Sequence, residues 1–105
     1  MPAPYDKTDY HPLDTFAFEA LAVAGTAVGF TAATYGTSGG QAICATAKVE
    51  GAQIRYRTDG TNPTATVGVP AEIGAVITVW GSRDIASIRF IATGAAATLN
   101  TEYAR

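Results

Sequence analysis

The chain has 105 residues and a mass of 10.8 kDa, which is one domain by length. Only 15% of its residues are charged, the net charge is −2 and the pI is near 5.1, so no basic field is available to hold a phosphate backbone. A single cysteine, Cys44, excludes an internal disulfide framework, and no apolar run approaches the ~18 residues of a membrane-spanning helix.

The first fifteen residues differ from the rest. Pro2, Pro4 and Pro12 forbid a helix and favour extended or polyproline II backbone. Residues 1–15 are therefore expected to form an extended arm, with Tyr5 and Tyr10 as anchors on a neighbouring subunit or as a strap across the chain's own sheet. The start has no apolar h-region, which predicts no secretory signal peptide.

From Phe16 onward, apolar residues recur with period two, the signature of half-buried strands. Phe16, Phe18, Ala20, Ala22 and Ala24 are expected on one buried face. Val28, Phe30 and Ala32 read as a second short strand, and residues 35–40 as a Gly-rich loop. Ile43, Ala45, Ala47 and Val49 form the next apolar face. Ile54, Tyr56 and Thr58 then alternate with Gln53, Arg55 and Arg57. Asp59-Gly60 signals a turn, extended by Thr61 to Thr64 into a longer loop. Residues 65–74 predict loop or a short edge strand. Ala75 to Trp80 is apolar on both faces, with Ile77 and Val79 on one and Val76 and Trp80 on the other. Such a strand is either central in a sandwich or turned toward a partner. Residues 85–87 predict one helical turn or a bend. Ile88, Phe90 and Ala92, then Leu99, Thr101 and Tyr103, complete the series. About seven short strands separated by Gly-rich turns, with no convincing helix, predict an all-β antiparallel sandwich over residues 16–105, of jelly-roll or immunoglobulin-like type. Ala supplies 21 residues and Thr 15, so the core is expected to be thin and to gain stability from partner subunits.

Few residues carry chemistry. His11 is the only histidine and lies in the arm, no Gly-x-Ser-x-Gly elbow is present, and Cys44 falls inside a strand where a free thiol packs as a small hydrophobe. One Cys and one His cannot build a transition-metal site within the chain, and turn chemistry accounts for the oxygen-rich residues 59–62 without calcium. No phosphate-binding glycine loop occurs. The expectation is no enzyme, no cofactor and no metal. Arg55 and Arg57 share a strand face, with Arg89 nearby, and read as a solvated or interface surface. Glycan binding is the competing function, with Tyr5, Tyr10, Tyr35 and Trp80 as free aromatics; Tyr56 and Tyr103 occupy positions that predict burial.

The stretch from Ala52 to Thr64 with Val67-Gly68 resembles small structural proteins of tailed-bacteriophage particles. Leu21-Ala22-Val23, Gly29-Phe30-Thr31, Ile73-Gly74, the strand to Trp80, Ile88 to Ile91 and Ala97 to Tyr103 extend the resemblance over residues 18–105. The same hairpin, through Ile54, Tyr56, Thr58, Asp59, Gly60, Pro63 and Thr64, is similar to immunoglobulin-like modules of chitobiase-type glycoside hydrolases, and it transfers no catalytic residue. The first resemblance implies a virion protein made in the host cytoplasm, most simply a head decoration protein that cements capsomers, with a tail or neck accessory protein as the alternative. Its expected partners are the major capsid protein or other virion proteins, and sister copies. A trimer fits the threefold sites of a capsid. Tyr5, Tyr10, Arg55, Arg57 and Trp80 are the expected contact residues. No nucleic acid or membrane partner is expected.

Overall fold

A computed structural model of the chain describes residues 13–36 and 41–105. β1 (Thr15–Val23), β7 (Ala97–Ala104), β2 (Cys44–Glu50) and β5 (Val76–Trp80) hydrogen-bond side by side in that order. β4 (Val69–Ala71), β3 (Ile54–Arg57) and β6 (Arg89–Ala92) form a second sheet, and every pairing is antiparallel. β2 and β5 are neighbours in one sheet while β3 and β6 are neighbours in the other. The chain therefore changes layer four times, between β2 and β3, β4 and β5, β5 and β6, and β6 and β7, which locks the layers together as an antiparallel β-sandwich.

The inner face of the larger sheet explains the alanines. Cross-strand register places Ala17 and Ala45 on either side of Tyr103, so the ring enters a space that larger neighbours would fill. Tyr103 is fully buried, and the rings of Phe30 and Tyr35 pack against it at centroid distances of 5.4 and 5.9 Å. Phe30 also meets Phe90 of the facing sheet at 5.0 Å. Leu99, Val49 and Val23 fill one end of the layer, and Ile54, Ile85 and Ile88 are buried with them. Small residues on one sheet thus accept aromatic rings from the other layer and from the crossover.

β1 has the expected period and the opposite phase. Phe18 is 58% exposed and Ala20, Ala22 and Ala24 are exposed, while Ala17, Glu19, Leu21 and Val23 turn inward. A register shift between Thr15 and Ala17 resets the alternation, and the Glu19 carboxylate finds hydrogen-bond donors inside. The expected strand at residues 28–32 is replaced. Val28 makes one bridge, exchanging backbone hydrogen bonds with Phe90 at 2.9 and 2.7 Å, and the chain then forms the short helix α1 (Ala32–Tyr35). This crossover closes the β6 edge of the smaller sheet. A second helix, α2 (Ser82–Ser87), takes in residues 85–87, expected as one helical turn or a bend, and begins three residues earlier. β4 supplies a short edge strand within residues 65–74, with Pro70 in it, where a missing N–H costs least.

Candidate functional site

The hairpin from β3 to β4 is set by its loop. Asp59 accepts from the Thr61 N–H at 3.1 Å, and Gly60 adopts φ +86°, as the Asp-Gly pair predicts. The Thr64 hydroxyl accepts from the Val67 N–H at 3.0 Å. Gly68 returns the chain with φ +138°, where a Cβ would lie 3.1 Å from Pro63 Cβ and 3.2 Å from Arg55 Cβ. The Arg55 guanidinium donates to the Gly68 carbonyl at 2.7 Å, while its Nε is buried without a hydrogen-bond partner.

Arg55, Arg57 and Arg89 share the outer face of the smaller sheet. Arg57 lies directly across from Arg89 in the ladder, a like-charge pairing that costs stability unless each cation is held elsewhere. Arg57 donates to Asp59 at 2.5 and 3.1 Å, and Arg89 folds back onto the carbonyls of Ala86 and Ile88 at 2.9 and 2.8 Å. The hydrogen bond to Arg57 holds the exposed Asp59 carboxyl below its usual range, and the same bond raises Arg57.

The opposite outer surface is different. Seven large hydrophobic side chains are more than two-fifths exposed among the described residues, and Val67, Val69, Ile73, Val76 and Trp80 all fall within residues 67–80. They gather where β4 and β5, the neighbouring edges of the two sheets, lie open. An open groove of about 450 Å³ runs between those edges, with Tyr56, Val69, Val76, Thr78, Trp80 and Ile88 in its wall and Asp84 at its rim. β5 is an edge strand, so of the two readings of its two-faced pattern the central one does not hold. Ile77 and Val79 face the core, and Val76 and Trp80 stand 59% and 62% exposed on the outer face.

The expected contact residues therefore separate. Arg55 and Arg57 occupy one outer face and Trp80 the edge of the other. Tyr5 and Tyr10 lie outside the described residues, as do His11 and most of the expected arm. Tyr35, expected as a free aromatic, is buried against Tyr103 because α1 turns it into the core. Cys44 is a buried free thiol. Among the described residues, no group of three or more His, Cys, Asp or Glu is placed to hold a metal ion. The exposed valines of β4 and its preceding loop were not singled out by the sequence; the two-faced apolar pattern of β5 was the available signal.

One further polar cluster is internal. Glu19 accepts hydrogen bonds from the Thr31 N–H at 3.0 Å, from the Thr31 hydroxyl at 2.6 Å and from the Tyr103 hydroxyl. Burial, with Glu19 beside it, pushes the Tyr103 hydroxyl well above its ordinary value. The cluster ties β1, β7 and the residue before α1 together, and none of its residues lines the groove. The geometry defines a β-sandwich with an apolar open edge and an arginine-bearing face. Comparison with protein-family models, with curated proteins and with solved structures finds no match.

Proposed function

We propose that the chain is a structural protein of the tailed-bacteriophage particle, a non-catalytic head decoration protein that stabilises the capsid. The observation that carries this reading is the clustering of Val67, Val69, Ile73, Val76 and Trp80 along one open edge, a surface suited to being covered by a neighbour. The resemblance of residues 18–105 to phage virion proteins supplies the kind of assembly. Under this reading the β4–β5 edge meets a neighbour in the surface lattice. The face bearing Arg55, Arg57 and Arg89 meets acidic surface on the major capsid protein. A protein that binds the assembled shell and not its separated subunits stabilises the shell by linkage, in proportion to its occupancy.

The test uses heads assembled without the protein. Purified protein is expected to co-sediment with them and to raise the temperature at which they release DNA. Failure to bind contradicts the decoration reading. Recovery of the chain only in tail fractions of purified virions assigns it to the tail or neck. Binding to a glycan array that Trp80→Ala abolishes would instead support a carbohydrate-binding module, which the exposed ring of Trp80 favours.

A further inference from the structure

We infer that β5 is a pairing strand for a second copy of this chain, joining two four-stranded sheets edge to edge about a twofold axis at Thr78. The inference rests on reading the β4–β5 edge as a covered surface, not on the particle that carries it. The ladder between β2 and β5 is flanked by hydrogen bonds from Gly81 N–H to Ile43 O at 2.7 Å and from Val49 N–H to Ala75 O at 2.9 Å. Bonded pairs alternate in an antiparallel ladder, so Ile77 and Val79 direct their N–H and C=O groups to β2. Val76, Thr78 and Trp80 direct theirs outward, at the open edge.

The side chains on that edge are self-complementary. An antiparallel twofold through Thr78 sets Thr78 across from Thr78 and Val76 across from Trp80, with each bonded pair exchanging two N–H···O bonds. Aromatic with β-branched, and Thr with Thr, are among the favoured cross-strand pairs. Within Val76–Trp80 there is no lysine, no proline and no charge of the kind that blunts an edge. The axis stands perpendicular to the sheet, so the two β4 edges come to the same side and bring Val67 and Val69 of each copy together. Val67, Val69, Val76 and Trp80 are each more than half exposed. Together they offer on the order of 400 Å² of apolar surface per copy. Two copies thus supply on the order of 800 Å² of the roughly 1,200–2,000 Å² that specific interfaces bury, and the backbone edges and groove rim add to it. The other edge of the sheet, β1, lacks this pattern: Phe18 is its one large exposed side chain. Pairing through β5 gives a closed twofold dimer, in place of the trimer expected from capsid symmetry.

The register supplies the test, because position 76 of one copy lies across from position 80 of the other. Wild-type protein should sediment as a dimer at micromolar concentrations. Val76→Glu and Trp80→Lys should each weaken it about ten-fold or more, while the double variant Val76→Glu/Trp80→Lys recovers most of the loss. Both sites are exposed, and unchanged far-UV circular dichroism and melting confirm that the variants fold. Trp80 is the only tryptophan, so its emission should also shift to the red on dilution through the same midpoint in unmodified protein. A wild-type monomer at roughly 100 μM overturns the pairing, as does a dimer indifferent to both single variants or a double variant that recovers nothing. Dissociation on deleting residues 2–12, with the single variants silent, would also overturn it and give the edge to the N-terminal segment. Head binding that persists in any of these cases leaves the decoration reading standing, so the two failures are distinguishable.

Discussion

Glu19 and Tyr103 decide how β1 is held. Glu19 is the inward residue of an otherwise apolar face, and its carboxylate takes donors from Thr31 and Tyr103. Burial of Tyr103 beside the Glu19 carboxylate makes the cluster sensitive to charge on the phenol. The folded-state value for Tyr103 is raised above the ordinary 10.0, so the stabilisation is intact below about pH 10 and is lost as pH rises beyond it. The slope has an upper bound of about 1.4 kcal/mol per pH unit for one proton. Urea unfolding between about pH 9 and pH 11 should show wild-type stability falling with pH. Tyr103→Phe should remove that component while costing about 1–2 kcal/mol at neutral pH through the lost hydrogen bond. Parallel pH profiles for the two proteins would place the alkaline sensitivity elsewhere.

At the scale of elements, the sequence conveyed period better than phase. Alternation along residues 16–24 is visible in the sequence, and Phe16 and Phe18 argue for the face they share. Nothing in the sequence signals the register shift at Thr15/Ala17 or the donors that make an inward Glu19 acceptable. The consequence is measurable. Phe18→Ser should change stability by less than about 0.5 kcal/mol, as an exposed substitution does. Val23→Ala, which empties space in the core, should cost about 1–3 kcal/mol. The reverse ranking in urea unfolding would restore the phase read from the phenylalanines. Residues 28–32 misled for a related reason: their alternation serves one bridge to β6 and the entry of Phe30 into the core, not a ladder. The Asp59-Gly60 turn, the inward Ala45, Ala47 and Val49 of β2 and the burial of Tyr103 were legible from local pattern, whereas Ile43, read with that series, stands exposed ahead of the strand. The site was half legible. The two-faced pattern of Ala75 to Trp80 marked a strand that wants a partner, but only the sheet order places it at an edge beside β4.

For the whole molecule, low charge and abundant alanine have two separate structural consequences. Inside, alanines at 17 and 45 make room for aromatic rings. Outside, threonines and alanines limit the charge on the larger sheet's outer face to Lys48, Glu50 and Glu102, and five of the seven large apolar side chains exposed among the described residues gather at one edge. Arg55, Arg57 and Arg89 lie on the other layer. A sandwich with one adhesive edge and one cationic face has the polarity needed to join a copy sideways and a different partner by its face. That organisation is what the decoration reading requires of a lattice protein. The most direct measurement is a cryo-EM map of the phage particle at a resolution that traces the chain. The account predicts sandwich density on the outside of the head, the β4–β5 edge buried against a neighbouring copy and the arginine face toward the capsid protein. Particles without this density, or with density in which the Trp80 edge stands free in solvent, would contradict it.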